Sequence, residues 1–373
     1  MVHIWQEVQA EPKRAVDSAV AAGGPTPDTL PTAVKGSAMD RIGAAVWATG
    51  RAGQEIVRAG LTRPWLEFRG GISFSAAKDG QDLGEACGLD IRVGAPVSTD
   101  VDAVLARPDI DVVFYAGLGN PTEVAAACLR ANRAGKDAIT IAGLVHPATS
   151  LGASAAAELD AGARAAGKRI LGTGLWDYLT ITLPLAAVSN VLQFEEIRLE
   201  RVADMTLWGH GILRDEGIGG PPESAGAGFM MRNFLIESTM LLAESCGLEI
   251  DEPGFESTPV LSEVRRERAG YLVEPGTICG HDRRLSANVR GGGRLVSLWR
   301  WRFDLQPERD GMEGSARVAV EGEPNFETIV RGDLFLDTYP PTGARAMAAV
   351  RPLLALEPGL HTIDELAQRP VYR

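Results

Sequence analysis

The stretch that decides the fold is Val46-Trp47-Ala48-Thr49-Gly50-Arg51-Ala52-Gly53-Gln54-Glu55-Ile56-Val57. An apolar run, "RIGAAVWA", ends inside it, and a helical pattern, "RAGQEIVRAGL", begins, with Ile56, Val57 and Leu61 on one face. Two glycines three apart at such a strand-to-helix turn let the backbone approach an anion and let the helix pack closely on the strand. The free N–H groups of the helix N-terminus then meet that anion with a partial positive charge. The dinucleotide fingerprint is G-x-G-x-x-G, and Ala48 stands in place of its first glycine.

Outward from this turn, strands and helices alternate. "WLEFRGGISF" reads as a second strand, "VDAVLARP" as a helix stopped at Pro108, and "DIDVVFYAGLG" as a third strand. "PTEVAAACLRANRAGK" reads as a helix opened by Pro121 and closed near Gly135. "DAITIAG", "SLGASAAAELDAGARAAGK" and "RILGTG" continue as strand, helix and strand. The alternation predicts an α/β fold with a Rossmann-type, doubly wound parallel sheet. In that context Thr49, Gly50, Arg51, Ala52 and Gly53 are candidate cofactor-binding residues, as are Ala116, Gly117 and Gly143 at later strand ends.

Which dinucleotide is bound depends on the end of the second strand, where an acid would hold the ribose of NAD. The strand ends "GISFSAAKDG", so Phe74 or Ser75 takes that place and Lys78 follows. Without an acid to repel it, a 2′-phosphate is accepted, with Arg51, Ser75 and Lys78 as donors; NADP is expected over NAD. The alternative for Arg51 and Lys78 is a solvated surface position.

Composition narrows the remaining classes. A chain of 373 residues has room for two domains. Its net charge of −12 offers no basic surface to a phosphate backbone, which excludes nucleic acid as a partner. No apolar run reaches the roughly 18 residues of a membrane helix, so no membrane partner is expected. Cys87, Cys128, Cys246 and Cys279 form no C-x-x-C pair, which points to reduced thiols in a cytoplasmic protein and to no metal site. Residues 1–38 read as an extension: a disordered leader, an arm docking on a partner subunit, or a start placed upstream of Met39. The nucleotide domain is expected over 39–174, a substrate and oligomerisation domain over 175–338, and a C-terminal helix returning to the nucleotide domain over 339–373.

Beyond Gly174 the pattern changes. "LWDYLTITLPLAAVS" is helix-like, "FEEIRLERVADM" is a strand, and "FMMRNFLIESTMLLAESCG" is a long helix. "RLSANVR", "RLVSLWRWRFDL", "GSARVAVEG" and "NFETIVRG" follow as strands without crossover helices, predicting an α+β domain with a mainly antiparallel sheet. Asp204 ends the first of these strands, and Trp208 and His210 follow in a glycine-flanked loop. Trp176, Asp177 and Tyr178 come directly after "GTG". Asp204 and Tyr178 are candidate catalytic residues; Trp176, Trp208 and His210 are candidate substrate contacts. His146 follows a strand end and can protonate an oxygen or nitrogen as hydride reaches the neighbouring carbon. Its alternative role is to fix the turn before Pro147.

The order of "AVWATGRAGQEIVRAGL", "GISFSAAKDGQDLGEACGL", "DIDVVFYAG", "ITIAGLVHP" and "GTG", with the ending "ARAMAAVRPLLALEPGLHTIDEL", resembles the dihydrodipicolinate reductase-like proteins. That group includes 2,4-diaminopentanoate dehydrogenases and native amine dehydrogenases. The His-His-x-x-Lys segment of true dihydrodipicolinate reductases is absent. The amine dehydrogenases are expected to carry a catalytic glutamate in a Glu-Glu-Leu-x-Tyr-Pro-like segment, where this chain reads Ala142-Gly143-Leu144-Val145-His146-Pro147. The resemblance implies an NAD(P)-dependent oxidoreductase moving hydride to or from a C=O or C=N carbon of a small to medium, fairly apolar molecule, in a homodimer or higher oligomer. The missing glutamate favours carbonyl reduction, with His146 as donor. The alternatives are an amine dehydrogenase or imine reductase with a relocated acid, and a non-catalytic NADP-binding sensor.

Overall fold

The strand, turn and helix around Gly50 lie at the middle of a parallel sheet in the computed structural model, which describes residues 41–224 and 229–366. In chain order the elements are β1 (Ile42–Trp47), α1 (Arg51–Leu61), β2 (Leu66–Ile72), α2 (Leu83–Ala86), β3 (Val97–Ser98), α3 (Val101–Leu105) and β4 (Val112–Tyr115). Then come α4 (Pro121–Arg133), β5 (Asp137–Thr140), α5 (Pro147–Ser150), α6 (Ala153–Ala165) and β6 (Arg169–Gly172). The strands lie in the order β6-β5-β4-β1-β2-β3, so the winding reverses between β1 and β4. Ligands of such sheets bind beyond the strand ends at that reversal.

Local chemistry explains these elements. Ala44, Ala45 and Val46 are fully buried because helices cover both faces, which is why β1 reads as a continuous apolar run instead of an alternation. Asn120 and Glu123 form a reciprocal capping box, and Pro121 occupies the first turn of α4. On α1, Ile56 and Val57 face the core, whereas Leu61 is 46% exposed, contrary to the face read from the sequence. In the last turn of α1 it is Gly60 that is buried against β2, where a Cβ would lie 2.4 Å from the Phe68 ring.

The second half opens with α7 (Leu175–Asp177), one π-helical turn (Tyr178–Thr182) and α8 (Leu183–Val188), where a single helix-like run was expected. After β7 (Gln193–Asp204), α9 (His210–Asp215) and α10 (Phe229–Ser245) come β8 (Gly254–Leu261) and a hairpin of β9 (Arg266–Arg268) and β10 (Tyr271–Val273). β11 (Ile278–Asn288), β12 (Arg294–Arg302), α11 (Pro307–Asp310), β13 (Ser315–Glu323) and β14 (Phe326–Arg331) follow. The sheet order is β14-β13-β7-β12-β11-β8. Its pairs are antiparallel except at the centre, where β7 and β12 run parallel.

Strand alternation gives this sheet two unlike faces. Leu199 and Ala203 of β7, with Trp299 and Trp301 of β12, face inward; the two tryptophans and Ala203 cluster with Leu235 of α10. Arg300 pairs with Glu200 at 2.9 Å on the other face. The chain then returns: α12 (Tyr339–Leu354) packs on α1 so closely that a Cβ on Gly343 would lie 2.4 Å from the Glu55 carbonyl oxygen. β15 (Gly359–His361) adds a seventh strand beside β6. No helix among the described residues is long and apolar enough to cross a membrane.

Candidate functional site

The phosphate turn is built from backbone. A Cβ on Gly53 would lie 2.1 Å from the Ala48 carbonyl oxygen, so only glycine lets α1 sit this near β1. Gly50 is the N-cap of α1, makes no side-chain cap, and has nothing within 4 Å of an added Cβ. The first turn of α1 carries no acid, and no side chain caps its N–H groups. Ala48 adopts φ +93°, the left-handed region that the first glycine of the fingerprint would take without strain. This open, uncapped, glycine-lined helix start fits the pyrophosphate of a dinucleotide.

The two cations nominated for a 2′-phosphate are both engaged within the chain. Lys78 Nζ donates to the Thr49 carbonyl at 3.0 Å, to Thr49 Oγ1 at 3.2 Å and to the Ala86 carbonyl at 2.6 Å, tying the turn to α2 from below. Arg51 donates to Glu55 at 2.6 Å and to Asp337 at 2.5 Å, and its guanidinium lies 5.8 Å from the centre of the Tyr339 ring. Ser75 is exposed just beyond β2.

A cavity of about 100 Å³ opens beside this turn, past the ends of β4, β5 and β6. Its nucleotide side consists of Ala52, Ala116, Gly117 and Ala142. Its far side is aromatic and apolar: Trp176, Trp208, Met231, Phe234 and Tyr339. Trp176 and Trp208 meet edge to face at 6.2 Å, backed by Trp299 at 5.2 Å from Trp176 and by Trp301 at 4.9 Å from Trp208. The Tyr339 hydroxyl donates to the Trp208 carbonyl at 2.8 Å, joining α12 to the loop before α9.

One carboxyl group enters this apolar box. Asp177, 1% exposed, lines the cavity, and among the described residues its Oδ2 has no hydrogen-bond partner. Burial pushes its pKa up to about 7, against the opposing influence of Arg345, the Thr173 hydroxyl and the Gly174 N–H. A carboxyl that titrates near neutrality with an oxygen left unpaired can both take and give a proton. The sequence singles out this position after "GTG" without nominating its acid; the signal was a lone carboxylate in the apolar run "LWDYLTI".

The other nominated residues lie elsewhere. His146 is the cap residue before Pro147, and its ring is held by Thr149 at 2.6 Å and by the exposed Glu244 at 2.8 Å, so it does not line the cavity. Asp204 alternates with Ala203 and therefore points to the opposite face of its sheet, where Thr206 N and Oγ1 donate to it. Tyr178 stacks under the Arg345 guanidinium at 5.3 Å, one residue past the cavity wall. His210 is exposed and packs on Tyr271. Gly143, at φ +125°, turns the loop after β5 without lining the cavity. Of the nominated substrate contacts, Trp176 and Trp208 reach the cavity.

Comparison with known proteins agrees with this fold. Residues 175–371 match the 2,4-diaminopentanoate dehydrogenase C-terminal domain. An amine dehydrogenase of Streptomyces virginiae is 25% identical over 356 residues, 88% of this chain and 97% of that protein. The structure of an amine dehydrogenase from Mycobacterium smegmatis superposes with a TM-score of 0.77 at 23% identity, covering 89% of this chain and 97% of that one. A biliverdin reductase from Synechocystis sp. PCC 6803, solved with biliverdin and NADP+, shares the fold at a TM-score of 0.51 and 13% identity, over 78% of this chain and 80% of that one. With its uncapped glycine turn, its doubly wound sheet and a C-terminal half that matches throughout, the chain belongs to the 2,4-diaminopentanoate dehydrogenase family of NAD(P)-binding dehydrogenases and reductases.

Proposed function

We propose that this protein is an amine-forming or amine-oxidising dehydrogenase acting on a small, apolar carbonyl–amine pair, with Asp177 as its proton-handling group. The observation that carries the reading is the buried, half-unpaired Asp177 carboxyl in a cavity otherwise lined mainly by aromatic and apolar side chains. The glutamate missing from Ala142-Gly143 argues for carbonyl chemistry alone, but a carboxylate near the reacting carbon restores the negative charge that an iminium needs. A nicotinamide bound against Ala116, Gly117 and Ala142 would supply the hydride.

In the reductive direction the Asp177 carboxylate takes a proton from an ammonium ion, leaving neutral ammonia to add to the carbonyl carbon. The same proton returns to the carbinolamine hydroxyl, which leaves as water. The resulting iminium lies beside a carboxylate and inside a tryptophan box that excludes bulk water, so its hydrolysis is suppressed. Trp176 and Trp208, which line the cavity, also place aromatic rings beside the cation. The preferred cofactor is NADP, since Ser75 and no acid follows β2; Ser75→Asp shifts the preference toward NAD.

Asp177→Asn tests the reading. Amine turnover falls by roughly 10²–10⁴-fold, as for loss of a general acid–base, while the dissociation constant of the cofactor stays unchanged. Unchanged amine turnover in that variant would overturn the assignment.

A further inference from the structure

The phosphate turn and the tryptophan wall of the cavity are joined by a short run of residues at the start of α12. Arg51, the first residue of α1 after its Gly50 cap, pairs with Asp337 at 2.5 Å, and its guanidinium lies 5.8 Å from the centre of the Tyr339 ring. The Tyr339 backbone N–H donates to Asp337 Oδ1 at 3.2 Å, and its hydroxyl donates to the Trp208 carbonyl at 2.8 Å. Burial pushes the Tyr339 pKa up to about 12, against the nearby Arg51, so the side chain remains a hydroxyl donor. Each link from the helix start to the cavity wall is a direct contact.

The far end of the Trp208 segment is held independently. Glu216, at the end of α9, is fully buried: His281 Nε2 hydrogen-bonds its carbonyl oxygen at 2.7 Å, and Arg283 donates to its carboxylate at 2.5 Å. Gly209, at φ +95°, separates Trp208 from that anchor. Across to the nucleotide half, the backbone of Trp208 is held by the Tyr339 hydroxyl.

We propose that Tyr339 is a positioning residue that ties the Trp208 wall of the cavity to the phosphate turn, so that a dinucleotide at the turn orders the wall that the organic ligand then meets. The inference rests on the cavity being the reaction site, and not on which bond the reaction makes. Arg51 has more N–H donors than its three acceptors, Gln54, Glu55 and Asp337, use, and its side chain is 37% exposed beside the helix start. A phosphate oxygen there adds a further partner, and a guanidinium held on both sides loses the freedom to swing away from Asp337 and Tyr339. Arg51 then fixes Asp337 and Tyr339, and Tyr339 fixes the Trp208 carbonyl. With the wall already ordered, entry of the organic ligand loses less conformational freedom, and its affinity rises.

Hydrogen exchange on the full chain, resolved to single amides, tests the link without turnover. The probe is 2′-phospho-ADP-ribose, which is NADP without its nicotinamide and so fills the phosphate turn without adding a contact in the cavity. In the wild type a saturating concentration slows exchange of the Trp208 amide, bonded to the Met205 carbonyl at 3.1 Å, by about fivefold or more. The Ile218 amide, bonded to the Leu213 carbonyl at 2.9 Å beside the Glu216 anchor, is unchanged. In Tyr339→Phe, which keeps the ring beside Arg51, the Trp208 amide exchanges faster without the probe, and the probe no longer slows it. In Asp337→Asn, which keeps the Tyr339 hydroxyl, exchange without the probe stays as in the wild type, and the slowing is lost here too.

Equal slowing in the wild type and Tyr339→Phe, or none in the wild type at saturation, would overturn the proposal. So would an Asp337→Asn response equal to that of the wild type, which would leave Tyr339 a support of the loop alone. Where the probe does not saturate, NADP+ replaces it and the same comparison decides; if Tyr339→Phe fails to fold, Asp337→Asn decides. The two readings fail separately. Alcohol as the sole product sinks amine chemistry and leaves the link standing, whereas unaltered slowing in both variants sinks the link and leaves amine chemistry standing.

Discussion

The phosphate turn and the cavity floor make opposite uses of the chain. The turn is a run of consecutive residues, Trp47 to Gly53, that works through backbone N–H groups, missing Cβ atoms and one left-handed φ at Ala48. The floor gathers Asp177, Trp208, Phe234 and Tyr339 from four separate elements and works through side chains alone. The difference teaches where the two kinds of specificity reside. Any dinucleotide presents a pyrophosphate, so backbone suffices to hold it; the reacting molecule is distinguished only by which side chains surround it.

If this contrast holds, substitutions in the turn separate binding from folding by position. Gly50→Val places a side chain in the open space over the α1 N-terminus, so the dissociation constant for either dinucleotide rises by about 10²-fold or more while the melting temperature is unchanged. Calorimetric titration and thermal unfolding check both halves. Gly53→Ala acts the other way: its Cβ meets the Ala48 carbonyl, and urea unfolding shows a loss of about 1–3 kcal/mol.

The smallest effect is expected at Ala48. Ala48→Gly removes the left-handed strain of a non-glycine residue at φ +93° and offsets part of that gain with a more flexible unfolded chain. The net is a stabilisation of about 1 kcal/mol or less, read as a shift in the urea midpoint. A destabilised Ala48→Gly variant would mean that the departure from the glycine fingerprint is itself structural.

The same contrast explains how much the sequence discloses. The parallel sheet is legible because its strands are continuous apolar runs broken by capped helices, as at Asn120-Pro121, and those signals are local. β3 and β15 are not, since two and three residues carry no period to read. Trp176 and Trp208 could be nominated from their loops, but which acid faces them depends on long-range packing. Asp204 ends a strand as expected, yet the parity of β7 turns it from the cavity, and nothing near it in the chain reports that parity. Asp177 carries a weaker signal, a lone carboxylate in an apolar run, whose burial is costly unless the fold gives it a use.

The central claim, that the Asp177 cavity performs amine chemistry, is tested most directly by the product. The wild-type protein is supplied with reduced NADP, a panel of small apolar ketones and aldehydes, and increasing ammonium chloride, and the products are identified by mass spectrometry. The account predicts a primary amine as the main product, formed at a rate that rises with ammonium. Alcohol as the sole product, at a rate indifferent to ammonium, would contradict it.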